Sequence, residues 1–345
     1  MHERITITEI AKKANLSIAT VSRAINPATK HLVRKSTTNK ILSIIKKENY
    51  IPSLPAKRLA TGKSNNIVVF FRPNFRSVFY NDYYGKMIAG SMNAVESTNY
   101  NLLISLITSE KGDFDVMQVI RGMDAGAAIL CNLMGVFKFS AKNIFDSEIP
   151  ILIINQYHKG ENLNCFMIDN FAGGYDATSY LVAKGHRRIG FVRGNRAVKD
   201  GEDRFVGYKK CLADNNMDFD PVLCYQGDFG EGSGVAAAHY FFGQKFNPPS
   251  AVFCANDVTA ISMMNELRST LKVRCPRDIS IIGFDGLDAG RYTYPALTTV
   301  RQPIYEMARD AVRESINIME NGSANTGTRC FKAKIIERGS VVRSA

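Results

Sequence analysis

The sequence contains no apolar run that approaches the roughly 20 residues a helix needs to span a bilayer. Its first residues also lack the basic flank and apolar core of a secretory signal peptide. These two absences predict a cytoplasmic protein with no membrane partner. The chain has 345 residues, of which 45% are hydrophobic and 22% charged. That length and composition are typical of a globular protein with more than one domain.

Cysteine and histidine patterns typical of disulfide frameworks or metal sites are missing as well. The cysteines are odd in number and scattered, with no CxxC pair, and the five histidines show no metal-ligand spacing. We therefore expect no bound metal, and we expect each cysteine to be a small core residue in a reducing compartment. The seven positions are Cys131, Cys165, Cys211, Cys224, Cys254, Cys275 and Cys330.

Motifs that carry catalysis are also absent. There is no GxxxxGK[ST] phosphate loop, no HExxH and no GxSxG, and the GEGSG run at 230–234 does not have the GxGxxG spacing of a dinucleotide site. No serine or tyrosine nucleophile stands in an arginine cluster of the kind that a recombinase needs. We therefore predict a protein that is not an enzyme and has no cofactor.

Acidic residues are scarce at one end of the chain. Residues 1–63 contain thirteen lysines and arginines against three acids, a net charge of +10, whereas the remaining residues carry only +2. A basic head on a nearly neutral body is typical of a module that binds nucleic acid. A solubilising basic tail is the alternative, but the same segment carries the signals of folded helices.

The first 49 residues predict three short helices. Thr6 and Glu9 stand in capping-box spacing before the first helix, and Asn15 suits the left-handed turn that ends it. Ser17 is a good N-cap for a second helix. Two short helices joined by a tight turn form a helix-turn-helix. Apolar residues at helical spacing mark the three helices: Ile7, Ile10, Ala11 and Ala14; Val21, Ala24 and Ile25; and Ile41, Leu42, Ile44 and Ile45.

The second helix has the composition of a helix that enters the major groove. Its small side chains allow close approach to DNA, and Ser17, Thr20 and Ser22 are able to bond phosphates or bases. Arg23 is able to read guanine or hold a phosphate. Ile18 and Ala19 offer apolar contact to a thymine methyl group. A surface helix of a small three-helix bundle is the alternative reading.

The string ITITEIAKKANLSIATVSRAIN at 5–26 resembles the head of the LacI/GalR family of bacterial transcription regulators. It departs from the family pattern at Asn15, where glycine is usual, and at Arg34, where a serine usually caps the third helix. The resemblance places Ile18 and Ala19 at the base-reading positions. We also expect Thr6 and Asn26 to contact DNA, and Arg34, which stands in place of the usual serine cap, to meet a phosphate instead.

The segment YIPSLPAKRLATGK at 50–63 resembles the hinge of the same family. Alone, so short a segment does not form a stable helix in water. In the family the matching segment folds on operator DNA, and its leucine wedges into the minor groove. The resemblance therefore makes Leu59 the wedge and Lys57 a neighbouring DNA contact.

Beyond residue 63, apolar runs alternate with helical patterns, which predicts two groups of parallel strands. The runs are NIVVFF, YNLLISLI, GAAILC and PILIIN in the first group, and RIGFV, AVFCA and ISIIGF in the second. Ligands of such folds bind at the carboxyl ends of the strands. The candidates there are Asn155, Asn256, Asp257 and Asp285.

The resemblance continues through the body, in LVAKGHRRIGFV, DRFVGYKKCL, PSAVFCANDVTAISMM, PRDISIIGFDG and PALTTVRQP. It implies a fold similar to periplasmic sugar-binding proteins, with an effector cleft between two subdomains. Asn155 and Gln156 stand where many sugar-binding members carry Asp and Arg. Each candidate also suits a purely structural role, as a helix cap, a strand-end cap, a core tyrosine or a surface ion pair. The expected effector-binding residues are Tyr83, Tyr84, Asn155, Arg204, Phe229, Asn256 and Asp285.

These observations predict a helix-turn-helix DNA-binding domain at 1–49, a hinge at 50–63 and an effector-binding and dimerisation domain at 64–345. We expect one subdomain at about 64–168 and 299–327, and the other at about 169–298 and 328–345. The predicted function is a homodimeric, nucleoid-associated regulator that binds a pseudo-palindromic operator. We predict that the regulator is a repressor and that its effector is a sugar or a sugar derivative. A sugar-binding or sugar-modifying protein with an incidental basic head is the alternative.

Overall fold

The computed structural model describes residues 5–26, 29–50, 64–71, 82–107, 116–131, 144, 147–155, 163–243, 247–322 and 327–344. The chain divides into two compact units, Met1–Ser64 and Asn65–Ala345. The predicted hinge residues Lys57 and Leu59, and also Gln156, lie outside the described residues. Within the described part of the chain, no helix is long and apolar enough to cross a membrane.

The first unit is a bundle of three helices: α1 (Ile7–Ala14), α2 (Ile18–Ile25) and α3 (Lys35–Lys47), with a 3-10 turn at Lys30–Leu32. The predicted end signals are confirmed. The Thr6 amide donates to Glu9 Oε2 over 2.7 Å in a capping box, and Asn15 ends α1 in the left-handed conformation at φ 55°. Arg34 occupies the N-cap of α3 without a side-chain hydrogen bond to the helix, as its departure from serine implies.

One apolar stripe from each helix forms the core of this unit, which contains Ile10, Ala11, Ala14, Val21, Ala24, Ile41 and Tyr50. Leu42, which we grouped with the apolar residues of α3, is 40% exposed, because three short helices bury only one stripe each. Lys40 of α3 donates from Nζ to the Ala14 carbonyl at the end of α1 over 2.8 Å. A cation at that position satisfies a carbonyl that the end of α1 leaves without a helical partner.

The second unit contains two six-stranded sheets. In the first, the strand order is β11-β5-β4-β3-β1-β2, and in the second it is β12-β10-β9-β8-β6-β7. The strands of the first sheet are β1 (Asn66–Phe71), β2 (Asn101–Leu106), β3 (Ala127–Cys131), β4 (Ile151–Ile154), β5 (Cys165–Ile168) and β11 (Thr328–Phe331). Those of the second are β6 (Ile189–Arg193), β7 (Cys224–Gln226), β8 (Ala251–Cys254), β9 (Ser280–Asp285), β10 (Thr298–Arg301) and β12 (Lys334–Ile336).

The strands run parallel, as predicted, except at one edge, where β12 pairs antiparallel with β10. Helices cover the sheets, and the central strands are therefore buried on both faces. The helices are α4 (Asp82–Val95), α5 (Val116–Gly122), α6 (Asn170–Ala183), α7 (Lys199–Asp214), α8 (Glu231–Phe242), α9 (Asp257–Ser269) and α10 (Ile304–Asn321). We call the first sheet with α4, α5 and α10 the first lobe, and the second sheet with α6–α9 the second lobe.

The predicted subdomain boundaries are wrong by a few residues at two crossings. Residues 299–301 belong to β10, which pairs with β9 of the second lobe, and 328–331 form β11, which pairs with β5 of the first lobe. The chain therefore changes lobes after β10 and after β11. A strand belongs to the sheet whose edge completes its backbone hydrogen bonds, and a short polar strand gives little sign of which edge that is.

The cysteines follow the prediction only in part. Cys131, Cys165, Cys211 and Cys254 are buried, Cys224 and Cys275 are half-buried, and Cys330 is exposed. The exposed position follows from the fold, because Cys330 lies on β11, an edge strand.

Candidate functional site

The exposed face of α2 in the first unit begins at its N-cap. The Thr20 amide donates to Ser17 Oγ over 3.1 Å, and the two hydroxyls lie 2.9 Å apart. Ser17 therefore fixes the start of α2, and its hydroxyl is already engaged there. The residues that follow are presented to solvent, and Ile18 is 47% exposed. Ala19, Ser22 and Arg23 are also exposed, whereas Thr20 and Asn26 are half-buried.

The other predicted DNA-binding residues of this unit fall into two groups. Thr6 is occupied by the capping box, since its Oγ1 also lies 3.0 Å from Glu9 Oε2. Arg34 and Arg23 are exposed, and neither pairs with an acid among the residues that the structure describes. Two unpaired guanidinium groups and an exposed helix start are what a surface that binds phosphate and base edges requires.

In the second lobe, Arg204 is 4% exposed and its guanidinium is held on three sides. Nε donates to Asn170 Oδ1 over 2.9 Å and Nη1 donates to the Ala255 carbonyl over 2.6 Å, while the ring of Phe284 lies 3.8 Å from the guanidinium carbon. Gly174 permits this arrangement, because a Cβ there would lie 2.3 Å from the Arg204 carbonyl oxygen. Arg204 is therefore a buried, oriented cation and not the surface ion pair considered above.

Asp285 ends β9 beside that cation. Its Oδ1 lies 3.8 Å from Arg204 Nη1 and accepts a hydrogen bond from Gln302 Nε2 over 2.6 Å. Burial raises the pKa of Asp285, although Arg204 and Gln302 act in the opposite direction. The backbone of Asp285 has φ 116°, a conformation that residues other than glycine rarely adopt. Backbone strain of this kind is commonly held in place at functional sites.

Asp257, at the start of α9, has a structural role. Its Oδ2 accepts from the Leu287 amide over 2.7 Å and its Oδ1 accepts from Thr299 Oγ1 over 2.6 Å. Burial and the neighbouring Asp285 raise the pKa of Asp257. The carboxyl group thus ties α9 to β10 and to the turn that follows Asp285.

Asn256 and Phe229 form a second pair in this lobe. Asn256 Oδ1 accepts from the Thr259 amide over 3.0 Å as a helix cap, and its Nδ2 donates to the Phe229 carbonyl over 3.0 Å. The Phe229 ring lies against Gly194, where a Cβ would approach Phe229 Cζ to 2.0 Å. Asn256 therefore caps a helix and also positions Phe229.

In the first lobe the structure brings Tyr83 and Asn155 together, because Asn155 Nδ2 donates to the Tyr83 hydroxyl. Asn155 is 2% exposed and left-handed at φ 56°, and no described residue donates to its Oδ1. Tyr84 instead packs edge-on against Phe71 at 5.8 Å, as a core residue would. Of the two predicted tyrosines, Tyr83 is therefore the better candidate for contact with a ligand.

Three residues of the site were missed by sequence reasoning. Asp200 lies one turn before Arg204 on α7, burial raises its pKa to about 6, and no described residue forms a hydrogen bond with it. Gln302 is 3% exposed, and its Oε1 accepts no hydrogen bond from the described part of the chain. Lys86 of α4 reaches the Gly286 carbonyl over 2.9 Å. Of these three residues, only Asp200 could have been found from the sequence, because it stands four residues, one helical turn, before Arg204.

The geometry groups the candidates around the junction of the lobes. In the second lobe, the charge of Arg204 lowers the pKa of Asp285 and the charge of Asp200 raises it. Lys86, on the helix that carries Tyr83, contacts the Gly286 carbonyl beside this group. Across the described residues, no group of three or more His, Cys, Asp or Glu side chains has the arrangement of a metal site. We take the polar residues around Arg204 and Asp285, together with Tyr83 and Asn155, as the candidate effector site.

A helix-turn-helix unit followed in the same chain by a two-lobed α/β body is the architecture of a DNA-binding regulator that carries a ligand-binding domain. Residues 6–53 match the profile described as bacterial regulatory proteins, lacI family, and residues 178–341 match the periplasmic binding protein-like domain. The chain belongs to the LacI family of bacterial transcription regulators.

Individual relatives extend over nearly the whole chain. The HTH-type transcriptional repressor PurR of Photorhabdus laumondii is 30% identical over 348 residues, covering 98% of this chain and 97% of the relative. The repressor CytR of Escherichia coli is 29% identical over 343 residues, covering 97% and 96%. The Lac repressor dimer bound to operator and the anti-inducer ONPF is similar in fold, with a TM-score of 0.84 at 19% identity, covering 99% of this chain and 100% of that one.

Proposed function

We propose that this protein is a homodimeric repressor that binds a pseudo-palindromic operator and changes its operator affinity when a small effector occupies the cleft. One observation carries the proposal: a single chain combines an exposed helix start with two unpaired arginines and a separate cleft built around the buried pair Arg204 and Asp285. The relatives PurR and CytR are both named transcriptional repressors, which supports repression as the direction of control.

The DNA contacts follow from the exposed face of α2. Ile18 and Ala19 lie at its first turn, where a recognition helix meets base edges, and Arg23 and Arg34 supply cations for guanine or phosphate. Ser17 and Thr20 orient the helix, since their hydroxyls engage each other. By the resemblance described above, Lys57 and Leu59 add contacts in the minor groove at the centre of the operator.

The dimer is supported by an apolar edge on the first lobe. β2 is the last strand of its sheet and exposes three large apolar side chains, those of Leu103, Ile104 and Leu106. An exposed apolar strand at a sheet edge favours association with another chain. A two-fold axis between two copies would present two α2 helices to the two halves of a pseudo-palindrome.

The effector class follows from which polar groups in the cleft lack partners. Among the residues of the candidate site, Asn155 Oδ1 and Gln302 Oε1 are buried acceptors that no described residue satisfies, and the Asp200 carboxylate also lacks a hydrogen bond from the described residues. The buried cation Arg204 already donates two hydrogen bonds. A donor-rich, uncharged polyol such as a sugar suits this set. A sugar phosphate would bring its charge close to Asp200 and Asp285 and is disfavoured.

The test is selection of duplexes from a random library by the full-length protein, followed by a thermal-shift screen with sugars, sugar phosphates and nucleobases. We expect an inverted-repeat consensus, and we expect a neutral sugar to raise the unfolding temperature and to change affinity for the selected duplex. If a sugar raises the unfolding temperature but the protein shows no preference among duplexes, the result would support the sugar-binding or sugar-modifying alternative instead.

A further inference from the structure

Lys86 of the first lobe contacts the turn that follows Asp285 in the second lobe. Its Nζ donates to the Gly286 carbonyl over 2.9 Å and lies 3.5 Å from Asp288 Oδ2. The same Nζ lies 3.0 Å from Asp82 Oδ2, one helical turn earlier on α4. One ammonium group therefore joins the two lobes.

Asp82 makes a second connection between the lobes. Its Oδ2 accepts a hydrogen bond from the Asp288 backbone amide over 2.8 Å. Two polar groups of the turn, the Gly286 carbonyl and the Asp288 amide, are thus bonded to side chains of α4. Hydrogen bonds to charged groups are stronger than neutral ones, and these two exist only while the lobes keep this arrangement.

The second lobe holds the same turn from its other side. The Leu287 amide donates to the buried Asp257 carboxylate over 2.7 Å. The turn cannot follow α4 freely, since its central amide is fixed in the second lobe. A change in the angle between the lobes must therefore break the contacts of Lys86 and Asp82.

The position of this turn links it to the effector cleft. Asp285 immediately precedes the turn, and Tyr83 stands between Asp82 and Lys86 in sequence on α4. The charge of Lys86 also acts on the Asp285 carboxyl group, whose pKa it lowers. A ligand seated between Tyr83 and Asp285 would lie beside these contacts.

We propose that Lys86 and Asp82 form a latch on the 286–288 turn that stabilises the lobe arrangement of the structure and opposes the movement that changes operator affinity. This role rests on the proposed function, since it concerns regulation through the same cleft. Lys86 is a positioning residue: it acts through the turn that carries Asp285. Without the latch, the balance between lobe arrangements shifts even when no effector is bound.

The first experiment needs neither effector nor operator. Backbone hydrogen–deuterium exchange of the full-length protein is compared for the wild type, Lys86→Met and Lys86→Arg. We expect exchange over 286–290 to rise about fivefold or more in Lys86→Met, to stay near the wild-type rate in Lys86→Arg, and to stay unchanged in β8. Lys199→Met is the matched control, because Lys199 and Asp203 form an i,i+4 pair at 2.6 Å within one lobe. Unchanged exchange over 286–290 in Lys86→Met would overturn the latch.

The second experiment measures affinity for the selected duplex without effector. Lys86→Met is expected to change it by about fivefold or more, and Lys199→Met to leave it unchanged. Faster exchange with unchanged duplex affinity would overturn the regulatory role. Should no duplex be selected at all, the proposed function fails, while the exchange result still decides whether Lys86 holds the turn. If Lys86→Met does not fold, two variants of Asp82 replace it. Asp82→Ala removes the acceptor of the Asp288 amide, whereas Asp82→Asn retains an acceptor oxygen. Only Asp82→Ala should speed exchange over 286–290.

Discussion

Arg204 Nη1 lies 3.8 Å from Asp285 Oδ1, and the two residues are 4% and 7% exposed. A charge buried without a partner is costly, and each of these two groups, with the hydrogen bonds around the pair, reduces that cost for the other. The cation comes from a helix and the carboxylate from the end of a strand 81 residues later in the chain. This pairing makes the candidate effector site polar.

Replacing Arg204 with methionine should abolish the effector response while leaving operator affinity nearly unchanged, because its contacts with Asn170, the Ala255 carbonyl and Asp285 include neither the DNA surface nor the 286–288 turn. The variant should also lose about 3 kcal/mol of stability, since Asp285 and the Ala255 carbonyl lose their buried partner. Calorimetry with the screened sugar and a mobility shift with the selected duplex measure the two effects separately. Equal loss of both activities in a folded variant would contradict the assignment.

Asp200→Asn should stabilise the protein at pH 8 and not at pH 4. Burial raises the pKa of Asp200 to about 6, so the folded state binds a proton more readily than the unfolded state does. Its contribution to stability therefore falls as the pH rises from about 4 through 6. Asparagine removes that loss, which we expect to be about 1 kcal/mol after allowance for partial exposure.

Thermal unfolding of the wild type and of Asp200→Asn at the two pH values measures this difference. Asp203→Asn is the matched control on the same helix, because it changes a surface pair with Lys199. A control that shows the same pH-dependent gain would mean that Asp200 has no special position.

Ile18→Ala should alter operator sequence preference more than overall affinity for DNA. Ile18 is 47% exposed at the first turn of α2, where apolar contact with a thymine methyl discriminates bases. We expect a loss of about 1 kcal/mol of discrimination at one base pair in each half-site. Repeating the duplex selection with the variant tests this, and an identical consensus from both proteins would exclude a base contact.

Arg34→Ala should reduce the salt dependence of operator binding. If Arg34 neutralises one phosphate in each copy, the slope of log affinity against log salt becomes less steep by roughly 0.9 per copy. Titrations at four salt concentrations with the wild type and variant give the slopes. Lys199→Ala, in the other compact unit, serves as the control and should keep the wild-type slope.

Much of the fold was predictable because its signals are local. The capping box of Thr6 and Glu9, the left-handed Asn15 and the long apolar runs of β1 and β9 each lie within a few residues. The strands that sequence reasoning missed are short or mixed in polarity, such as Cys224–Gln226 and Lys334–Ile336. Such strands are defined by the sheet edge they complete and not by their own pattern.

The site was predictable only in part, for a related reason. Arg204, Asp285 and Asn256 stand in recognisable strings, whereas Lys86 and Gln302 matter through partners that the sequence does not place beside them. Lys86 meets Gly286 across 200 positions of sequence. Gln302 meets Asp285 because β10 lies next to β9. The hydroxyl of Ser17 shows the opposite error, since a side chain assigned to DNA also caps its own helix.

The central claim is that a basic helix-turn-helix unit recognises a specific duplex under the control of the cleft. The most direct measurement is a mobility-shift titration of the full-length protein with the selected duplex and a scrambled duplex, at low and moderate salt, with and without the sugar that stabilises the protein. The account predicts preference for the selected duplex, weakening with salt, and a shift in its affinity when the sugar is present. Equal affinity for both duplexes, unaffected by salt and by the sugar, would contradict it.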